Sequence, residues 1–184
     1  MVELPVTVQV DLADLISACQ RGDRAAFRRL FEAHRGRVYS TARHILGGDA
    51  AAKDVTQQVF LSLWCNLATI DSGRELGTWL YRVTVNACLN ERRRLRWLSG
   101  HEPSDLVPEL VTGPAQESAV LARQVQVALG RMSAKLRVPL VLRHVEGLSY
   151  DEIAAVLGCG LGTVASRLSR AHGKLAELLA EAAP

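Results

Sequence analysis

The chain has 184 residues, of which 48% are hydrophobic and 22% charged, and its formal net charge is +3. This length suits one domain or two small ones, with enough apolar residues for packed cores. No apolar run reaches the roughly 20 residues that span a bilayer, and the N-terminal stretch lacks the basic and apolar regions of a signal peptide, so we expect a cytoplasmic protein without direct membrane insertion.

The first half of the chain shows helical periodicity and no sustained alternation, which predicts an all-α fold. Residues 1–10 are expected to be loose. A short helix is predicted from Asp11 to Gln20 and closed by Gly22. Asp23 is placed to cap a longer second helix. The apolar face of that helix is predicted to comprise Phe27, Leu30, Phe31, His34, Val38, Ala42, Ile45 and Leu46.

Two further helices are predicted in this half. Asp49 is expected to cap the third helix, and Asp71, Ser72 and Gly73 are expected to form a turn before the fourth, which starts at about Leu76. The residues predicted to face inward are Val55, Val59, Leu63 and Leu67 in the third helix and Leu76, Leu80, Val83 and Ala87 in the fourth.

Residues 98–117 interrupt the pattern, because they contain three of the six prolines and two glycines. This composition predicts a flexible linker between one module at residues 1–97 and another at residues 118–184. Fully extended, such a linker spans roughly 70 Å, or about two turns of DNA.

The second module is predicted to open with two helices. The first has an apolar stripe of Leu121, Val125, Leu129 and Met132. Ser133 is expected to cap the second, whose inward residues are Leu136, Leu140, Val141 and Val145. Pro139 lies inside that helix and removes one backbone hydrogen bond, so we expect either a kink or a helix that starts later.

The stretch from Gly147 to Lys174 predicts a helix-turn-helix. Ser149 and Glu152 have the spacing of a capping box, and Gly158 stands where a helix ends in a left-handed residue. One stripe of the next helix is apolar, at Val164, Leu168, Ala171 and Leu175. Its other face is polar, at Thr163, Ser166, Arg167, Ser169 and Arg170. This pattern is typical of a helix that enters the major groove; the alternative is a helical hairpin with a solvated basic face.

The charges are concentrated in blocks. Residues 21–46 contain seven arginines and two acids, and residues 131–174 contain seven basic residues and three acids. Residues 99–118 contain four acids and no Lys or Arg. Basic helices on both sides of an acidic spacer favour a polyanionic partner, although a solvated surface has the same composition.

The cysteines and histidines do not indicate a catalytic or metal site. Cys19, Cys65, Cys88 and Cys159 are far apart in sequence, which favours small reduced core residues over zinc ligands. No HExxH, GxSxG or P-loop pattern is present. We therefore expect no enzyme activity, no metal and no cofactor.

Three stretches carry a family resemblance. The segment GLSYDEIAAVLGCGLGTVASRLSRAHGKL resembles the fourth conserved region of an extracytoplasmic-function (ECF) sigma factor of bacterial RNA polymerase. The segment DVTQQVFLSLW resembles the helix that such proteins dock on the polymerase clamp. The segment GTWLYRVTVNACLNERRR resembles the helix that opens and contacts the −10 element.

The resemblance implies roles for individual residues. The polymerase-binding positions are Asp54, Gln57, Gln58 and Phe60, with Gln58 where the family often has Glu. The −10 positions are Trp79, Arg82, Asn86, Asn90, Arg93 and Arg94, with Arg92 and Arg96 as further phosphate contacts. The −35 positions are Thr163, Ser166, Arg167, Ser169, Arg170 and Lys174. Trp79 suits base stacking, but its spacing favours the core.

Asn86 matches the asparagine beside the pocket for a flipped base in this family. The family usually has a basic residue where Ala165 stands and often a proline where Gly160 stands. The resemblance also implies core RNA polymerase, promoter DNA and an anti-sigma factor as partners. Two other hypotheses remain at this point: a helix-turn-helix regulator that acts without polymerase, and an interaction protein whose helices form a docking surface.

Overall fold

The computed structural model describes residues 12–70, 73–99 and 117–182. Every regular element in these ranges is helical, which confirms the predicted all-α class. The elements are α1 (Leu12–Gln20), α2 (Arg24–Leu46), α3 (Asp49–Asn66), a 3-10 turn (Leu67–Thr69), α4 (Gly73–Ser99), α5 (Glu117–Arg131), α6 (Ala134–His144), α7 (Tyr150–Leu157) and α8 (Leu161–Glu181). The expectations for residues 1–11, for Asp71 and Ser72, and for residues 100–116 lie outside the described residues.

Helices α1 to α4 form the first module, in which α2 packs against α1, α3 and α4. The predicted cap of α2 is confirmed, because the Asp23 carboxylate accepts hydrogen bonds from the backbone amides of Ala25 and Ala26. Gly47 ends the helix with a φ of 85°, a conformation that glycine adopts without steric cost. The inward residues predicted for α3 are all buried.

The predicted cap of α3 is wrong. Gly48 is the N-cap and Asp49 is already the first helical residue. The Asp49 carboxylate accepts a hydrogen bond from the Tyr39 hydroxyl and pairs with Lys53 at 2.6 Å. These partners lower the pKa of Asp49, with Lys53 the larger cause, so Asp49 links α2 to α3 instead of capping a helix.

Helix α4 begins earlier than predicted, at Gly73. Its buried stripe also differs in position, since Thr84, Val85 and Cys88 are buried whereas Val83 and Ala87 are only half-buried. Leu76 and Leu80 are buried as expected. The face of α4 that packs inward is therefore rotated relative to the predicted one.

The second module comprises α5 to α8, with α8 packed against α5, α6 and α7. Two residues of its predicted stripes are wrong: Leu121 is 58% exposed, and Val145 lies beyond the end of α6 and is also exposed. Helix α6 runs through Pro139 from Ala134, so a later start is excluded. Ser133 occupies the N-cap position, but its side chain makes no capping hydrogen bond.

The helix-turn-helix is formed by α7 and α8. The Ser149 hydroxyl accepts a hydrogen bond from the Glu152 amide, and the Glu152 carboxylate accepts one from the Ser149 amide, which completes the predicted capping box. Gly158 ends α7 with a φ of 62°. Val164, Leu168 and Ala171 of α8 are buried.

The two modules are in direct contact. Helix α2 packs against α5 and α6, and α4 packs against α7, so that buried apolar residues of both modules belong to one continuous cluster. In the described part of the chain, no helix combines the length and apolarity needed to cross a membrane.

Candidate nucleic-acid interface and an aromatic groove

The solvent face of α8 contains the residues predicted to contact DNA. Thr163, Ser166, Ser169, Arg170 and Lys174 are exposed. The Arg170 guanidinium donates to the Ser166 carbonyl oxygen at 3.2 Å. The guanidinium therefore lies along α8 and stays exposed to solvent. Because the apolar stripe of α8 is buried, this polar face is directed towards solvent. An arginine in such a position can bind a guanine edge through two hydrogen bonds.

Arg167 differs from its neighbours on α8 because it is half-buried. It lines a cleft of about 880 Å³ between the modules, together with Arg82, Asn86 and Arg93 of α4 and Lys135 of α6. None of the described lining residues is acidic. We refer to this space as the basic cleft; residues predicted for the −10 and −35 elements face each other across it.

Helix α4 has a polar face over its second half. Asn86, Asn90, Arg93 and Arg94 are exposed there, and Arg94 donates two hydrogen bonds to Glu91, at 2.6 and 2.8 Å. The hydrogen bonds from Arg94 lower the pKa of Glu91. The face therefore combines amide groups, which can pair with base edges, and guanidinium groups, which can bind phosphates.

Two of the residues assigned to α4 lie elsewhere than on this face. Arg92 is only 4% exposed and directs Nη1 towards the Ile45 carbonyl oxygen, so the expectation that it contacts DNA phosphates is wrong for this arrangement. Trp79 is half-buried and packs against the core. Both residues lie on the buried side of α4.

Arg137 of α6 is the most deeply buried cation of the described residues, at 1% exposure. Its guanidinium donates to the carbonyl oxygens of Ile45, Gly130 and Met132. Burial, together with the charge of Arg92, lowers the pKa of Arg137 to about 9. No sequence pattern predicts the burial of this residue, because an arginine in an otherwise apolar helix is usually exposed.

A second, apolar groove lies between α2 and α3. Its floor is aromatic: Phe27 and Trp64 meet edge to face with centroids 4.8 Å apart, and Phe31 and Phe60 do so at 4.6 Å. Leu61 is 59% exposed at its edge. The groove has a volume of about 1130 Å³, and its rim is mainly basic, with Arg24, Arg28, Arg35 and Lys53. We call it the aromatic groove.

The four residues predicted to bind polymerase lie on different faces of α3. Gln57 and Phe60 line the aromatic groove, but Phe60 is 4% exposed and contributes to the floor, not to an outer contact surface. Asp54 and Gln58 are exposed. Gln58 lines a smaller cleft between α3 and α4 with Asn86, Asn90 and Arg94. The groove is not evident from the sequence, because Phe27 and Phe31 stand at core spacing in the predicted second helix and Phe60 is predicted separately as a polymerase-binding residue.

The cysteines only partly follow the expectation of small core residues. Cys19 and Cys88 are buried, and burial raises the pKa of the Cys88 thiol to about 12. Cys65 is exposed and therefore not a core residue. Within the described ranges, no group of three or more His, Cys, Asp or Glu side chains could hold a metal ion.

Comparisons with known proteins agree with both modules. The family model for sigma-70 region 2 matches residues 30–98, and that for sigma-70 region 4 matches residues 122–175. The ECF RNA polymerase sigma factor SigE of Mycolicibacterium smegmatis is 36% identical over 168 residues, which cover 87% of this chain and 65% of that protein. SigM of Mycobacterium tuberculosis is 34% identical over 167 residues, covering 91% of this chain and 84% of that protein.

Solved structures support the same fold. The sigma factor RpoE of Bartonella quintana, in complex with the anti-sigma factor NepR, superimposes with a TM-score of 0.70 at 25% identity. The match covers 83% of this chain and 96% of that one.

Proposed function

This chain belongs to the ECF sigma factors of bacterial RNA polymerase, and from this membership we propose which of its surfaces contact the promoter and which contact the polymerase during promoter-specific initiation. The chain binds core RNA polymerase and directs it to promoters. The observation that supports a division of labour is that two separate polar faces, one on α4 and one on α8, belong to different modules.

The second module, residues 118–184, contacts the −35 element as duplex DNA. Its buried stripe fixes the polar face of α8 outward, and that face offers hydroxyl and guanidinium groups at the spacing of a recognition helix. Arg170 is the residue best placed for base contact, and Lys174 and Ser169 suit phosphates.

The first module, residues 1–97, contacts and helps to melt the −10 element. Asn86 and Asn90 can pair with the edge of a base that has left the stack, which costs a few kcal/mol. Arg93 and Arg94 hold the adjacent phosphates. The predicted linker is shortened to the segment between α4 and α5, because residues 98 and 99 end α4 and residue 117 begins α5. This segment allows the modules to reach both elements.

The polymerase-binding surface extends from the exposed residues of α3 into the aromatic groove. Leu61 and Trp64 form an exposed apolar patch with a mainly basic rim, which suits a partner helix with apolar and acidic residues. Gln57 lies at the groove, whereas Asp54 and Gln58 extend the surface towards α4.

An anti-sigma factor is a further proposed partner. The RpoE relative is held by NepR, and the same kind of protein would here cover α3 around Asp54 to Phe60 or insert between the modules. We assign this chain to the cytoplasm and assign it no catalytic activity of its own.

The test is reconstitution with purified core RNA polymerase. We expect the full chain to co-elute with core enzyme and to produce run-off transcripts from a subset of a promoter library, with none from core enzyme alone. A chain that binds duplex DNA but neither co-elutes nor supports transcription would be a regulator that acts without polymerase. That alternative accounts for residues 118–184 but leaves the region 2 match unexplained.

A further inference from the structure

We propose that the basic cleft is a binding site for a nucleoside triphosphate, and that its lining fits an adenine nucleotide. The cleft has a volume of about 880 Å³, which lies within the roughly 300–1,000 Å³ that is usual for small-molecule sites. A DNA duplex, whose major groove alone is about 12 Å wide, is too large to enter it. The occupant therefore differs from the duplex proposed for the outer face of α8.

Side-chain cations from three helices line the cleft. They are Arg82 and Arg93 of α4, Lys135 of α6 and Arg167 of α8, and none of the described lining residues is acidic. Arg82 donates a hydrogen bond to the Ala155 carbonyl oxygen at 2.9 Å, but a carbonyl oxygen does not neutralise a guanidinium. A cleft that concentrates charge of one sign favours a ligand with several charges of the opposite sign.

Two buried arginines add to the positive charge at this site. Arg92 lines the cleft and is only 4% exposed. Arg137 of α6 is buried close enough to Arg92 for the two charges to interact. In the described ranges, none of the buried residues is Asp or Glu. Because buried cations are costly without a counter-charge, an anion bound in the cleft would stabilise this arrangement.

The amino end of α6 faces the same space. Ser133, Ala134 and Lys135 line the cleft, and the Ser133 side chain makes no capping hydrogen bond. The first amides of a helix have no acceptor within the helix, and such amides bind phosphate groups. A phosphate in the cleft would therefore accept the hydrogen bonds that a capping side chain accepts elsewhere, next to the Lys135 ammonium.

The rest of the lining favours a nucleotide over an inorganic polyphosphate. Leu89 of α4, Pro139 of α6 and Leu157 of α7 contribute apolar surface, which can cover the face of a purine ring but offers nothing to a phosphate. Asn86 also lines the cleft. Its amide can bond to both N6 and N7 of adenine, so the base as well as the phosphates finds matching groups.

The experiment measures binding to the full chain of an ATP analogue that carries a fluorophore on its ribose, by fluorescence anisotropy. The labelled probe is displaced with unlabelled ATP, with AMP and with inorganic tripolyphosphate. The titrations contain EDTA, because no acidic residue among the described lining could hold Mg²⁺. AMP presents the base with one phosphate, as a DNA strand does, and tripolyphosphate presents the charge without the base.

The variants are Arg167→Ala and Lys135→Ala, which each remove one cation of the cleft. The matched control is Arg170→Ala, which removes the same charge from the same helix as Arg167→Ala but at an exposed position outside the cleft. Asn86→Ala tests the contact with the base. Circular dichroism verifies that all four variants are folded.

We expect ATP to bind at least about tenfold more tightly than AMP or tripolyphosphate, since only ATP engages both parts of the lining. Arg167→Ala and Lys135→Ala should each weaken ATP binding by about tenfold, as for the loss of a charged hydrogen bond. Arg170→Ala should change it by less than about twofold, because an exposed charge outside the cleft is screened by solvent and salt. Asn86→Ala should reduce the preference for ATP over tripolyphosphate.

Affinity for AMP equal to that for ATP would show that the cleft holds one nucleotide unit of a strand, and equal affinity for tripolyphosphate would show that the base makes no contact. Either result would overturn the assignment of a nucleoside triphosphate. Equal losses in Arg167→Ala and Arg170→Ala, or no displacement by about 1 mM ATP, would overturn the cleft as the site. A chain that fails these tests but supports run-off transcription with core polymerase would lose only this inference and retain the proposed function.

Discussion

Arg170 illustrates how much of the proposed specificity depends on one side chain. It is exposed on α8 and held along the helix by the Ser166 carbonyl oxygen. If it contacts a base, Arg170→Ala should cost about 1–3 kcal/mol in promoter binding and relax specificity at one −35 position. The measurement is competition binding of the reconstituted polymerase complex to duplexes varied at each −35 position.

The matched control is Arg123→Ala, which removes an exposed arginine from α5. We expect it to weaken binding only slightly and equally for all sequences. If Arg170→Ala also weakens all sequences equally, Arg170 contacts phosphate and the assignment of base contact is wrong.

His144 and His172 make the stability of the second module depend on pH. Their Nε2 atoms are 2.8 Å apart, so one ring must donate and the other accept, which two protonated rings cannot do. Burial, with the charges of His172 and Arg143, lowers the pKa of His144 below 6.5. The folded state therefore favours neutral His144, and its stabilisation is full above pH 6.5 and lost as the pH falls through the folded-state pKa.

We expect the free energy of unfolding to decrease from about pH 7.5 to about pH 5.5, and to decrease less in His144→Gln. Chemical denaturation of both chains at the two pH values measures the difference. His34 in α2, whose pKa is also lowered by burial, is common to both chains and cancels in the comparison. An identical pH dependence of the two chains would show that the histidine pair does not contribute.

At the residue scale, sequence patterns distinguished exposed from buried positions well on α8 and poorly on α4. The buried stripe of α8 is entirely apolar, so its polar face follows directly. On α4 the buried stripe includes Thr84 and Arg92, and a polar residue on a buried face has no periodic signal. Arg92 was assigned to DNA contact as part of an arginine run, although it is buried and directs Nη1 towards the Ile45 carbonyl oxygen.

At the scale of a helix, capping differs between α2 and α6, although both N-cap positions were predicted. Asp23 accepts two backbone hydrogen bonds, whereas Ser133 makes no capping bond. We expect Asp23→Ala to destabilise the chain by about 1 kcal/mol. Ser133→Ala is the matched control and should cost clearly less, since no bond is lost.

Urea denaturation followed by circular dichroism measures both values. Comparable losses for the two variants would show that the hydrogen bonds of Asp23 are not what stabilises α2. The same contrast explains why α3 was predicted to start one residue late: Asp49 has the chemistry of a cap, but its carboxylate is engaged by Tyr39 of α2 and Lys53 of α3.

At the scale of the whole molecule, the sequence predicted the helix-turn-helix and the presence of two modules but neither the aromatic groove nor the packing between modules. The helix-turn-helix depends on local signals, such as the capping box and Gly158. The groove forms where residues of α2 and α3 meet, and the inter-module contact joins Thr41 to Glu146 across more than half of the chain. Pairings at such separation have no signature in the periodicity of a single chain.

The aromatic groove leads to a final prediction about polymerase binding. Leu61 is 59% exposed at the groove edge, so Leu61→Asp should leave the fold intact while placing a charge on the apolar surface that a partner helix would cover. We expect affinity for core polymerase to fall by at least about tenfold, as when an interface residue that contributes strongly to binding is disrupted. The matched control is Cys65→Asp, which places the same charge on an exposed position of α3 that does not line the groove. Titration of fluorescently labelled chain with core enzyme measures both affinities, and circular dichroism verifies that both variants are folded. Equal loss in the two variants would indicate a general effect of negative charge on α3, and undiminished binding of Leu61→Asp would place the polymerase contact outside the groove, on the side of Asp54 and Gln58.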